Sequence, residues 1–257
     1  MCTIISIANN KGGVGKTTAT LNIGAGLAKT GKRVLVIDLD PQANLSMCFK
    51  QDEDTQHNIG RVLLDQLTID DILVETESYH LHLLPGSREC RKIEKLLTGE
   101  TAGEQRLKKH FRKNKIKDKY DFVLIDCPPA LGNFTTNALV ASDYYIVPVT
   151  PEFFAYKGIE GVLEYIREIV ENELNYDLEL MGILINQFNE KQRNTTRKSI
   201  AEKIRQSKLA VFETDIRQNS DLIKASLNAR SIFAQNPSSN GAKDFTKLIE
   251  EILTITK

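Results

Sequence analysis

The segment Asn10-Lys11-Gly12-Gly13-Val14-Gly15-Lys16-Thr17-Thr18 restricts most strongly what this 257-residue chain can fold into. An apolar, β-branched run, Thr3 to Ala8, precedes it, and a helical pattern, Thr18 to Thr30, follows. The order strand, glycine loop, helix is that of a phosphate-binding loop. A triphosphate carries several negative charges and has to be surrounded by donors. Gly12, Gly13 and Gly15 permit left-handed backbone and close approach without a Cβ. Their N–H groups can turn inward as a nest, and the helix N-terminus adds positive potential. In this pattern Lys16 reaches the β- and γ-phosphates and the Thr17 hydroxyl binds Mg²⁺.

The loop departs from the general pattern G-x-x-x-x-G-K-[ST] at its first position, where this chain has Asn10. It also carries a second lysine, Lys11, five residues before Lys16. Two lysines at this spacing suggest that the bound nucleotide controls how two copies of the chain meet.

Composition narrows the class. No run approaches the roughly 18 apolar residues of a membrane helix, and the short apolar stretch at the N-terminus runs directly into the loop, unlike a signal peptide. The cysteines Cys2, Cys48, Cys90 and Cys127 are widely separated with no C-x-x-C pair, which argues against a zinc site or disulfide framework and for a reducing cytoplasm. Net charge is zero but patterned. Arg106 to Lys119 holds eight Lys/Arg and one Asp, Glu152 to Glu179 eight acids against Lys157 and Arg167, and Lys191 to Lys208 seven Lys/Arg and one Glu. Clustering on a face, rather than the total, decides nucleic-acid binding.

Apolar strands alternate with helical segments along the chain. Strands are expected at Arg33 to Asp38, Tyr79 to Leu84, Asp121 to Asp126, Tyr144 to Val149, Leu180 to Asn186 and, briefly, Ala210 to Glu213. Helices are expected at Arg88 to Leu97, Gln105 to Lys113, Phe134 to Ala141, Tyr156 to Asn172, Gln192 to Gln206, Ser220 to Ala229 and Ala242 to Leu253, with two short ones between Asn58 and Val74. This alternation predicts an α/β fold, a mostly parallel sheet with helices on both faces. No linker, repeat or low-complexity segment interrupts it, so a single domain over 1–257 is expected, with no helix-turn-helix before the loop.

Ligands of such sheets bind beyond the carboxyl ends of the strands. Asp38 and Asp40 end the second strand in Ile37-Asp38-Leu39-Asp40-Pro41-Gln42, and Asp126 ends a later one in Ile125-Asp126-Cys127-Pro128-Pro129. Together with the loop they can converge on a phosphate–Mg²⁺ site, one carboxylate near the metal and another orienting a water. Strand-end aspartates also start turns and cap helices; a phosphate loop in the same sheet favours the functional role.

With these motifs assembled, the chain resembles the ParA/Soj family of DNA-partition ATPases, P-loop proteins with a deviant Walker A motif. The matching segments are Lys11 to Thr18, Asp38-Leu39-Asp40-Pro41-Gln42, Asp126-Cys127-Pro128-Pro129, Pro148-Val149-Thr150-Pro151-Glu152, Gly182-Ile183-Leu184-Ile185-Asn186 and Ile216-Arg217-Gln218-Asn219, in the family's order over nearly the whole chain. The resemblance implies a single-domain P-loop NTPase using ATP and Mg²⁺. It implies that Lys16 binds the phosphates within a loop of Gly12, Gly13, Val14, Gly15, Thr17 and Thr18, and that Lys11 reaches the partner subunit's nucleotide in an ATP sandwich dimer. Asp40 matches the water-positioning residue. Thr17, Asp38 and Asp126 match the Mg²⁺ neighbourhood. Asn186 matches an adenine contact, with Arg217 in the neighbouring loop.

The resemblance further implies non-specific DNA binding by the ATP dimer, with Arg193, Arg197, Lys198, Lys203 and Arg205 as candidates and the Arg106 to Lys119 run as a competing patch. A basic run is also what a solvated helix face looks like. A ParB-like or other centromere or cargo-adaptor protein would stimulate hydrolysis, and the protein would be cytoplasmic and nucleoid-associated, driving plasmid or chromosome segregation. A ParA-like ATPase positioning protein cargo would share the same core chemistry. A MinD-like membrane ATPase would carry an amphipathic tail beyond the last helix, whereas Ile249 to Lys257 reads as the core helix itself. A nitrogenase-iron-protein-like reductase would need paired interface cysteines. A tyrosine kinase of the superfamily would need a tyrosine-rich tail, which Phe245 to Lys257 lacks.

Overall fold

The computed structural model describes residues 2–188 and 195–257. The chain runs β1 (Thr3–Ile7), α1 (Lys16–Lys29), β2 (Val34–Asp38), then three short helices, α2 (Asn44–Met47), α3 (Ile59–Leu63) and α4 (Ile69–Ile72). It continues through β3 (Val74–Glu75), β4 (Leu81–Leu84), α5 (Cys90–Leu97), α6 (Arg106–Lys113), α7 (Ile116–Lys119) and β5 (Phe122–Asp126). The remainder is α8 (Asn133–Ala141), β6 (Tyr144–Val149), α9 (Ala155–Glu171), β7 (Glu179–Ile185), α10 (Thr195–Arg205), α11 (Ser220–Leu227), α12 (Ile232–Gln235) and α13 (Asn240–Ile255).

The strands form one sheet in the order β3-β4-β2-β5-β1-β6-β7. All neighbours are parallel except the short edge strand β3, which pairs antiparallel with β4. Side-chain alternation shows why both faces must be covered. Ile5 and Ile7, Val34 and Val36, Phe122 and Leu124 enter one core with α1 and α13; Ile4, Leu35, Ile37, Val123 and Ile125 enter the other with α3, α5, α6 and α8. A third cluster packs α9 and α10 against β6 and β7. Strands apolar on both faces are the expected signature of a buried parallel sheet.

The sequence reading of the strands and longer helices agrees with these elements within one to three residues. Three differences have physical causes. Ala210 to Glu213 forms only a single parallel bridge, Val211 with Ile183, instead of a strand. The helices α2, α7 and α12 are four residues each, too short to show a 3.6-residue period. The two-residue β3 likewise carries no alternation to read. The start of the expected Gln192 to Gln206 helix lies outside the described residues; α10 is seen from Thr195.

One buried titratable group lies far from the strand ends. His110 of α6 is 3% exposed, with Nε2 3.2 Å from Asp65 Oδ1. Burial outweighs that carboxylate, helped by Lys109, Lys113 and Arg106, and lowers the imidazole pKa below its usual 6.5. The unfolded chain therefore binds the proton more readily than the native one. Its stabilising contribution should be complete above about pH 6.5 and be lost as pH falls towards the lower native value. In thermal melts from pH 8 to 5, wild type should lose stability more steeply below this point than His110→Asn; parallel curves would refute the assignment.

Candidate nucleotide-binding site

The site is built by register. β2 pairs β5 with Asp38 opposite Asp126, and β1 pairs β5 with Ile7 opposite Asp126. Parallel strands lie about 4.8 Å apart, so two carboxylates are set side by side at the sheet's carboxyl edge, one strand from the start of the glycine loop. Both are fully buried.

The loop uses two of its three glycines for conformation. Gly13 and Gly15 have φ of 77° and 92°, whereas Gly12 is not left-handed; it is exposed, and a Cβ there would meet nothing within 4 Å. Gly15 precedes α1, and a Cβ on it would stand 2.1 Å from Asn186 Nδ2. Asn186, at the end of β7, braces the loop from below: Nδ2 donates to Val14 O at 2.7 Å, and the next residue's side chain, Gln187 Nε2, donates to Gly13 O at 2.9 Å. Asn10 is accommodated by α9, where a Cβ at Gly161 would come within 2.5 Å of Asn10 Nδ2. Beside it, Asn9 Nδ2 donates to Pro148 O and Asn9 Oδ1 accepts from Lys11 N.

The two lysines diverge. Lys16, 7% exposed, curls inside the loop and donates from Nζ to Lys11 O at 3.3 Å. Burial lowers its pKa, opposed by the charges of Asp126 and Asp40. Lys11 reaches the start of α9 instead and is half-buried, its Nζ 2.7 Å from Glu152 Oε2. The other oxygen of Glu152 accepts from Arg197 Nη2 at 3.0 Å. Immediately after Glu152, Phe153 and Phe154 are 82% and 63% exposed and packed edge to face.

The carboxylates have different occupations. Asp38 gives its oxygens to the protein: Oδ1 accepts from Asp40 N at 3.1 Å, and Oδ2 from Ser46 N and Oγ at 2.8 and 2.7 Å. Burial nevertheless pushes its pKa up to about 6, partly offset by the Ser46 bonds. Asp126 Oδ2 accepts from Thr17 Oγ1 at 2.7 Å, while the buried Oδ1 has no hydrogen-bond partner among the described residues. Burial, followed by the charge on Asp38, drives the Asp126 pKa well above the usual carboxylate range. Asp40 Oδ1 accepts from Gln42 N at 2.9 Å.

This donor set fits a magnesium–nucleotide ligand. No group of three or more His, Cys, Asp or Glu able to hold a metal occurs among the described residues. Mg²⁺ ordinarily relies on one or two carboxylates plus substrate phosphates and waters. The orphaned Asp126 Oδ1 and the adjacent Thr17 hydroxyl supply such a partial site.

The other candidates are distributed as follows. Arg217, just beyond the bridge of Asn186 with Ile216, forms a bidentate ion pair with Asp244 of α13. Of the basic residues, Arg197 is committed to Glu152 and Arg205 to Asp215, while Lys198 is half-buried and Lys203 exposed. Arg193 lies outside the described residues. Sequence reasoning gave Glu152, Ser46 and Gln187 no role at the site. Glu152 stands both in the acidic run Glu152 to Glu179 and at the end of the matching segment Pro148 to Glu152, and nothing in the spacing of Lys11, Glu152 and Arg197 signals their convergence.

Three comparisons with known proteins bear on the site. A family model described as an AAA domain matches residues 2–180. The sporulation initiation inhibitor protein Soj of Bacillus subtilis is 35% identical over 97% of this chain and 97% of its own length, and the chromosome partitioning protein ParA of Myxococcus xanthus is 34% identical over 97% and 87%. Among solved structures, a cobyrinic acid a,c-diamide synthase from Mycobacterium smegmatis with bound ADP and magnesium superposes with a TM-score of 0.84 at 30% identity, covering 98% of this chain and 94% of that one.

Because the buried Oδ1 of Asp126 has no hydrogen-bond partner among the described residues, Asp126→Asn should leave the ligand-free protein folded, with little loss of stability. It should abolish the added stabilisation from Mg²⁺ in the presence of nucleotide. Melting curves with and without Mg²⁺ check both; retained Mg²⁺ stabilisation would remove Asp126 from the metal site.

Proposed function

The chain belongs to the ParA/Soj family of P-loop ATPases, and from that premise we propose that it is a Mg²⁺-dependent ATPase that forms an ATP sandwich dimer, binds DNA without sequence preference and is released when a partner protein stimulates hydrolysis. The observation that carries this reading is the divergence of the lysines. Lys16 is buried in its own loop, whereas Lys11 is half-buried and paired with Glu152, the residue before the exposed Phe153 and Phe154. A cation not taken up by its own loop can serve a nucleotide held by a second copy. Exposed Phe153 and Phe154 give that copy an apolar surface to cover.

The residues divide the chemistry. The N–H groups of the loop and Lys16 bind and neutralise the phosphates of ATP. Thr17 and the free oxygen of Asp126 would hold Mg²⁺, which supplies charge neutralisation across the phosphates when bound. Asp38, saturated by Ser46 and by the Asp40 amide, holds the Asp40 backbone in place. Asp40 Oδ2 has no hydrogen-bond partner among the described residues, so it can accept a proton from an attacking water and orient it. Lys11 from the opposite protomer stabilises charge on the transferring phosphoryl group. Asn186 fixes the loop beneath the nucleotide and lines the approach of the base, with Arg217 nearby.

For DNA, Arg197 and Arg205 are largely spent on ion pairs, so the contact rests on Lys198 and Lys203, doubled by dimerisation. Phosphate contacts of this kind give steep salt dependence. The partner is a ParB-like or cargo-adaptor protein, and segregation of a plasmid or chromosome is the role, with a nucleoid-associated location. No helix among the described residues is long and apolar enough to cross a membrane.

Lys16→Ala should abolish nucleotide binding, measured by fluorescence with a labelled ATP analogue. Asp40→Ala should bind ATP, hydrolyse it at least tenfold more slowly and accumulate as a dimer. A strictly monomeric Asp40→Ala protein in ATP by light scattering would defeat the sandwich reading.

A further inference from the structure

Glu152 is the meeting point of two cations from distant parts of the chain. Lys11 comes from the loop after β1 and takes Oε2 at 2.7 Å; Arg197 comes from α10 and takes Oε1 at 3.0 Å. The carboxylate is fixed by its backbone, with Glu152 N donating to Thr150 O and Glu152 O accepting from Ala155 N as α9 begins. Its pKa lies below the usual glutamate range, chiefly through the Lys11 hydrogen bond and then through Arg197.

We propose that Glu152 is a positioning residue that holds Lys11 on its own protomer before ATP-driven dimerisation, and that Arg197 sets the strength of that hold. The inference rests on Lys11 acting across the dimer. Lys11 has to leave Glu152 to reach a second protomer's nucleotide, so the free energy of that ion pair is subtracted from dimerisation. Two cations sharing one carboxylate repel each other and divide its attraction. Removing Arg197 leaves the whole charge of Glu152 to Lys11 and tightens the hold. Removing the charge of Glu152 releases Lys11 whatever Arg197 does. The two substitutions therefore act with opposite signs, although both delete the same kind of contact. Lys11, Glu152 and Arg197 side chains are 35%, 43% and 28% exposed, so solvent screening keeps each effect small. Arg197 on this reading belongs to the hold and is not a DNA contact.

The test measures the protein concentration for half-dimerisation of the full chain with the non-hydrolysable analogue AMPPNP and Mg²⁺, by sedimentation. Glu152→Gln should lower this concentration up to about fivefold, and Arg197→Met should raise it by a similar factor. Arg197→Lys should return it towards wild type, and the double variant should match Glu152→Gln alone. Unchanged melting temperatures in ADP would separate positioning from folding. Shifts of the same sign, or no shift in Glu152→Gln while wild type dimerises, overturn the inference and leave the dimer reading standing. A wild type that stays monomeric throughout overturns the dimer reading and this inference with it.

Discussion

The register of three parallel strands governs the rest of this molecule. With β1, β5 and β2 paired so that Ile7, Asp126 and Asp38 share one level, the glycine loop, the Asp126 carboxylate and the acidic turn after β2 are forced to one edge. A slip of one residue would turn the carboxylates to opposite faces of the sheet. It would also exchange Val34 and Val36 with Leu35 and Ile37 between the two cores. The apolar alternation that holds the sheet together is therefore the same device that aligns the acids.

That alignment opposes stability locally. Two neighbouring buried carboxylates repel, both are pushed towards their neutral forms, and one oxygen of Asp126 lacks a partner among the described residues. The fold offsets this with hydrogen bonds from Ser46, Thr17 and the Asp40 amide. It also confines the strain to the edge where a polyanion and a cation would relieve it. Local destabilisation at a functional site, compensated by a well-packed remainder, is a common trade.

Much of this was legible in the sequence because it is written in local order. The glycine loop, the strand-end aspartates 38, 40 and 126, and the alternation of apolar strands with helices need no long-range information. What was not legible depends on juxtaposition. Glu152 lies 141 residues from Lys11 and 45 from Arg197. The same composition that makes residues 152–179 look like an acidic face conceals one acid paired with two distant cations. The basic run of α10 shows the converse: charge counting cannot see that Arg197 and Arg205 face carboxylates from other elements. Gly12, grouped with the left-handed glycines by type, does not need that conformation.

The contact of Asn10 with Gly161 has a consequence for modularity. The residue that stands in place of the usual first glycine carries an exposed side chain whose amide nitrogen would lie 2.5 Å from a Cβ at Gly161 of α9, so a larger residue at 161 would turn that amide aside. The loop therefore meets the rest of the fold through a movable side chain as well as through its backbone. A graft of residues 10–18 would bring an amide that rests, in the donor, beside a glycine on a helix some 150 residues away, and a scaffold without that glycine would have to turn the amide aside. The reverse graft, with glycine at position 10, would leave the space beside Gly161 unfilled. Positions 10 and 161 thus meet in space, although nothing in their spacing announces it.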